Sequence, residues 1–304
     1  MNTGQKISIT VGAFVITFVS ICAIFRSDIM YLLTSKKIER KYGTEYVNNY
    51  YIEDNFEYID NYDKPDINTK QDLINSIYYT INSGIKYTEK YCAKDYTTCY
   101  NDINEISQNT ELLSNLNNFV HPYNSFENIT FEFNGNVIKI KLDSIYTNEE
   151  IKELNKILDG FIEKYIDDKM STKEKIKTIH DYIINTTEYD TEYNPDATYN
   201  KHKANTAYGV LVEGYGICSG YSDAMALFLD KLNIINYKIS NDEHIWNLVY
   251  LDNTWLHLDL TWDDPISDKN ITRDNYFLIT DKTLQLLNDD EHYYNKNIFR
   301  EATK

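Results

Sequence analysis

Apolar residues recur along this chain in two alternating rhythms. Leu73, Ile77 and Ile81 are spaced for one face of a helix, and a second helical pattern runs from Ile103 to Leu116. His121-Pro122-Tyr123-Asn124 reads as a turn. Ile129 to Phe133 and Val137 to Leu142 then alternate apolar and polar around Asn134-Gly135, which predicts a β-hairpin. Two helices follow. The first spans about Asn148 to Ile166, with Ile151, Leu154, Leu158, Phe161 and Ile162 on one side. The second starts at Ser171, three residues before Glu174, the spacing of a capping box, and carries the stripe Ile176, Ile179, Ile183, Ile184. His180, beside that stripe, reads as a packing or hydrogen-bonding histidine. Glu188 to Asn205 is polar and reads as a loop. Ser219 to Leu232 is apolar on more than one face, as expected of a central buried helix. His244 to Leu251 and Thr254 to Leu260 alternate around Asp252-Asn253, a second hairpin.

Ile7 to Phe25 is a different pattern, 19 residues without a charge, flanked by Lys6 and Arg26. That is long enough to cross a bilayer core. The expectation is an uncleaved single-pass transmembrane anchor; the alternative is a secretory signal cut near Ser20-Ile21-Cys22. Arg26, Lys36, Lys37, Arg40 and Lys41 follow the run, and the positive-inside rule taken literally keeps the following domain in the cytoplasm. The layout of an anchor followed by a long soluble region points the other way. So do Cys92 and Cys99, close enough in sequence for a small disulfide loop. The expected place is the cell membrane with the C-terminal domain extracytoplasmic, or secretion if the signal is cleaved. The expected organisation is a tail over 1–6, an anchor over 7–25, a stalk over 26–65, an N-terminal α/β region over 66–147 and a C-terminal domain over 148–304.

Charge narrows the partners. Thirty Lys and Arg stand against 47 Asp and Glu, a formal net charge of −17, which disfavours nucleic acid and anionic lipid surfaces. Only a weak preference for cationic or lysine-bearing substrates follows, with membrane attachment only through the anchor.

The chemistry concentrates in Gly214-Tyr215-Gly216-Ile217-Cys218-Ser219-Gly220-Tyr221. A lone cysteine beside a helix is more often a small buried hydrophobe; its downstream partners change that reading. Cys218, His244 and Asp259 follow in the order of a thiol triad. Cys218 at the first turn of the buried helix meets unpaired backbone N–H groups and the positive end of the helix dipole, which favour a negative sulfur and can supply an oxyanion hole. Gly216 and Gly220 permit a tight turn and close substrate approach. In the second hairpin a two-residue turn sets Asp259 opposite Trp246, so His244, Trp246, His257 and Asp259 share one face. His244 and Asp259 are then diagonal neighbours. The imidazole would take and return the thiol proton while the carboxylate orients it. His257, on the same strand as Asp259, is the weaker base. Zinc on Cys218, His244 and His257 lacks any supporting ligand spacing, and no metal or cofactor is expected.

These residues together resemble the transglutaminase-like superfamily, in its bacterial membrane-anchored or secreted members. The resemblance rests on Ile179-His180-Asp181-Tyr182-Ile183, Ala207-Tyr208-Gly209-Val210-Leu211, Gly216-Ile217-Cys218-Ser219-Gly220-Tyr221 and His244-Ile245-Trp246-Asn247. It continues through Trp255 to Pro265 and Tyr276 to Asp281, and covers about 120–304. It implies an α+β fold with a papain-like core, the nucleophile on a helix packed against an antiparallel sheet, and the triad Cys218, His244, Asp259. Unlike the animal enzymes, this chain has no tryptophan before Cys218, so that oxyanion donor is missing; Tyr208 and Tyr182 are the substitutes considered. Trp246 and Trp262 are candidates for lining the cleft, with core packing as the alternative. The resemblance admits a cysteine peptidase or amidase, a protein-crosslinking transglutaminase, a small-molecule thiol acyltransferase, or an inactive interaction module, and for the first two it implies a peptide or protein substrate, such as a cell-wall peptide.

Overall fold

The computed structural model describes residues 41–42, 63–264, 274–287 and 290–303. The anchor expected over 7–25, most of the stalk and Pro265 lie outside the described residues. Among those described, no helix is long and apolar enough to cross a membrane.

The N-terminal region is a sheet covered by three helices. β1 (Lys41–Tyr42) and β2 (Asp66–Ile67) both pair with β3 (Ile85–Cys92), which pairs in turn with β5 (Val137–Ser144) and through it with β4 (Phe126–Asn134). The β4–β5 turn is Gly135-Asn136, one residue later than the sequence pattern placed it, because Asn134 still pairs with Val137 and the positive φ of +67° falls on Gly135. α1 (Lys70–Asn82) buries Leu73, Ile77 and Ile81. The single helix expected between Ile103 and Leu116 is two, α2 (Cys99–Gln108) and α3 (Thr110–Asn118). Asn109 breaks it by leaving helical geometry and capping the Leu112 N–H with its own side chain. Cys92 and Cys99 form a disulfide, with Cα atoms 6.1 Å apart, that ties the end of β3 to the start of α2.

The second half places the site. α4 (Asn148–Tyr165) and α5 (Thr172–Thr186) each begin with a complete capping box, Thr147 with Glu150 and Ser171 with Glu174. A parallel pair of short strands, β6 (Glu188–Tyr189) and β7 (Tyr215–Gly216), brings the loop after α5 beside the start of α6 (Cys218–Lys231). Met225, Phe228 and Leu229 of α6 are wholly buried, worth about 1.5–3 kcal/mol each against exposure. Three antiparallel strands then run β8 (Asn236–Ser240), β9 (Ile245–Leu251) and β10 (Thr254–Leu258), with β9 central. Asp252 and Asn253 take left-handed φ of 52° and 63°, as a tight hairpin turn requires, and Thr254 pairs with Leu251 through to Leu258 with Asn247. Val249 and Leu258 join a core with α4, α5 and α6. Tyr237, Ile239, Trp246, Leu248 and Trp255 join another, with the N-terminal helices and Phe299. The three-stranded sheet is therefore covered on both faces. After β10 come the short α7 (Leu260–Asp263) and α8 (Asp281–Leu287).

Candidate active site

Cys218 is the first residue of α6, half-buried and not in a disulfide. Ile217 caps the helix without any side-chain hydrogen bond, so no capping side-chain oxygen takes up the first backbone N–H groups. The glycines are required by their own chain. A Cβ on Gly220 would lie 2.2 Å from the Ala204 carbonyl oxygen, and one on Gly216 would lie 2.7 Å from both Tyr221 and Val210. Gly220 thus lets residues 204–206 approach α6, and Gly216 lets Val210 and Tyr221 pack beside it.

β9 and β10 bring the other two residues to that point. His244, just before β9, bonds through Nε2 to Asp259 Oδ2 at 2.5 Å, which leaves Nδ1 to face the thiol; the His244 ring is in hydrogen-bonding contact with Cys218. Asp259 has left the strand and caps α7, where its Oδ1 accepts the N–H groups of Thr261 and Trp262 at 2.8 and 3.3 Å. Both residues are buried. Burial alone would lower the imidazole, but the Asp259 carboxylate and then the Cys218 sulfur hold it up to about 10. Burial likewise pushes the Asp259 carboxyl up, and His244 first, then His292, overturn that and keep it well below the usual carboxylate range. The pair is an ion pair at neutral pH.

Several residues named from the sequence take other roles. Trp246 is buried in the core; its ring backs His244 at 5.6 Å and its Nε1 donates to His257 Nδ1 at 3.0 Å. His257, pushed down to about 4 by burial, is a neutral acceptor for that bond. Trp262 is half-buried against His292 and Tyr276. Tyr208 donates its hydroxyl to Glu153, and Tyr182 packs on Phe161 and Phe228. Neither tyrosine, nor Gly216, Trp246 or Trp262, lines the cavity at Cys218. The tyrosines in electrostatic reach of the sulfur are Tyr189 and Tyr193, whose phenols are raised by burial first and also by their interaction with Cys218. They sit in β6 and the loop that follows it, where no periodic pattern marks them.

His292 was not singled out from the sequence either. Its Nε2 bonds to the same Asp259 Oδ2 at 2.8 Å. Donor atoms of His244, Asp259 and His292 lie within 4.8 Å of one another, as do those of His180, Asp181 and Asp274. In the first set Asp259 bonds both rings; in the second His180 bonds Asp181, and Lys177 bridges Asp181 and Asp274. Those bonds account for the clustering without an ion.

Cys218 and His244 open on a cavity of about 300 Å³ whose far wall is Ser114, Asn117, Asn118 and Ser125 of the N-terminal region. A larger cavity of about 700 Å³ adjoins it, sharing Ser114, Ser240, Asn241 and Asp242.

Residues 160–260 match the model of the transglutaminase-like superfamily. The chain carries a transglutaminase-like domain. Two solved structures are similar in part. One is the crystal structure of a TGase, 19% identical over 50% of this chain and 48% of that chain, with a TM-score of 0.35. The other is a proposed cysteine protease from Cytophaga hutchinsonii, 12% identical over 44% of this chain and 61% of that one, with a TM-score of 0.27. The chain spans about half the length of the first and less than two thirds of the second. No curated protein matches it. The transglutaminase-like match reaches from α4 to the first residue of α7, so it contains Cys218, His244 and Asp259 and excludes His292.

Proposed function

We propose that the protein is a thiol-dependent acyl-transfer enzyme. Cys218 is the nucleophile, His244 the general acid of acylation and then the general base of deacylation, and Asp259 the residue that orients the imidazole. The observation that carries this is the buried His244–Asp259 ion pair, in contact with a thiol at an uncapped helix start. The sulfur attacks a carboxamide or peptide carbonyl, the backbone N–H groups at the start of α6 receive the developing oxyanion, and the His244 imidazolium protonates the departing amine. The thioester left on Cys218 is released by water, which His244 deprotonates, or by an amine that takes the acyl group. Hydrolysis needs no second organic substrate, so peptidase or amidase action is the simpler reading, and a cell-envelope peptide is the proposed substrate. Crosslinking is favoured by one feature, the adjoining larger cavity, which has room for an acyl acceptor.

The test is chemical. Iodoacetamide at pH 5–6 should alkylate Cys218 at least tenfold faster than it alkylates free glutathione, since an imidazolium-paired thiolate reacts where an ordinary thiol is protonated. Mass spectrometry after incubation with glutamine-containing and wall-derived peptides should show an acyl adduct on Cys218. A rate equal to that of glutathione would remove the triad reading.

A further inference from the structure

Asp259 faces two imidazoles, and only one of them belongs to the matched domain. His292 Nε2 lies 2.8 Å from Asp259 Oδ2, the oxygen that also holds His244 at 2.5 Å. The His292 ring is packed on three sides. It stacks on Tyr276 at 4.6 Å and meets Trp246 and Trp262 edge-on at 5.0 and 5.2 Å. Its backbone is held by the loop that carries His244. The Asn241 amide nitrogen donates to the carbonyls of Glu291 and Tyr293, while its Oδ1 accepts the N–H groups of Glu243 and His244. One asparagine side chain thus fixes both histidines relative to each other.

We infer that His292 is a positioning residue for the proposed reaction: by donating to Asp259 it fixes the carboxylate in the orientation that holds His244 toward Cys218. A carboxylate with a single imidazole partner can rotate and let the ring follow. With Oδ1 bound to the α7 backbone and Oδ2 bound by a second donor, it cannot. The segment around residues 291–293, outside the transglutaminase-like match, then completes the acid–base apparatus. This inference rests on the triad reading given above.

Two substitutions separate positioning from packing. His292→Phe keeps a ring between Tyr276 and Trp262 but donates nothing to Asp259. His292→Gln loses the ring, while its amide N–H reaches about where Nε2 was. If His292 positions Asp259, turnover on whichever peptide acylates Cys218 should fall about 10–100-fold in His292→Phe, mostly in kcat, and by no more than a few-fold in His292→Gln; such losses are typical for residues that orient a reacting group. If the ring only packs, the order reverses. A second readout does not need turnover. The proton between His244 and Asp259 should give a low-field NMR resonance in the wild-type protein and in His292→Gln, and broaden or vanish in His292→Phe. A resonance unchanged in His292→Phe would overturn the inference even if no substrate is found. Slow Cys218 alkylation alongside the expected resonance pattern would instead count against the proposed function.

Discussion

Asp259 uses every acceptor site it has, with Oδ1 given to two backbone N–H groups and Oδ2 to two imidazoles. This saturation makes a buried carboxylate tolerable, and it fixes the pH behaviour of the site. His244 is raised to about 10 when folded, above its ordinary value near 6.5. A group raised on folding stabilises the fold fully below its unfolded value and loses that contribution as pH rises through the folded one, so the window here is from about 6.5 to about 10. Asp259 is depressed, so its contribution is present above roughly 4 and is lost only in strong acid. Acyl transfer needs the imidazolium to protonate the leaving amine. The alkaline limb of kcat/KM should therefore fall through about pH 10. A limb near 6.5 would show that the ion pair does not form. The sequence made His244 and Asp259 legible because both belong to a hairpin whose turn fixes its register. It did not reveal His292, Tyr189 or Tyr193. These lie in irregular segments or, for Tyr189, in a two-residue strand, where position depends on long-range packing rather than on any repeat along the chain.

The alternation on either side of Asp252-Asn253 sufficed to give the β9–β10 register, since the side-chain period of a strand is two and any slip would turn the buried face outward. The start of α5 was equally legible, because its capping box is local chemistry; the matching box of α4, Thr147 with Glu150, emerges only in the structure. Where the strand ends was not. The pattern continues apolar to Leu260, but Asp259 captures the next two N–H groups and turns the chain into α7. This places Asp263 differently from a plain turn residue. It is wholly buried, with Oδ2 on His180 Nε2 at 3.2 Å and Oδ1 accepting the Tyr276 N–H at 3.1 Å. Asp263 thus joins α5, α7 and the segment that stacks on His292. A substitution there should be costly. Asp263→Ala leaves two buried groups without their partner, and urea denaturation should show a loss of about 1–3 kcal/mol. A loss below about 0.5 kcal/mol would mean that water or a rearranged side chain replaces the carboxylate. Gly220→Ala should also destabilise, because its new Cβ meets a backbone oxygen that no rotamer can move.

Across the whole molecule, the N-terminal region lines the Cys218 cavity with Ser114, Asn117, Asn118 and Ser125, so a substrate of the proposed reaction would meet residues outside the transglutaminase-like match. The region's role was not legible in the sequence, since its helices carry ordinary amphipathic patterns and no catalytic residue type stands out in them. It also carries the disulfide, and this bears on the proposed extracytoplasmic location. Cys92 and Cys99 are both buried and joined. Bonds of this kind persist in oxidising compartments and are kept reduced in most cytosols. The uncharged run Ile7 to Phe25 is long enough to anchor the chain, whereas the cationic flank that follows it argues for a cytoplasmic domain. The disulfide and the flank therefore predict opposite topologies, and one experiment on intact cells decides between them. Protease added outside should degrade the domain while the protein sediments with membranes. Alkylation before lysis, followed by mass spectrometry without reductant, should find Cys92 linked to Cys99. A domain protected from protease, with both cysteines alkylated, would place it in the cytoplasm and turn the search for substrates inward.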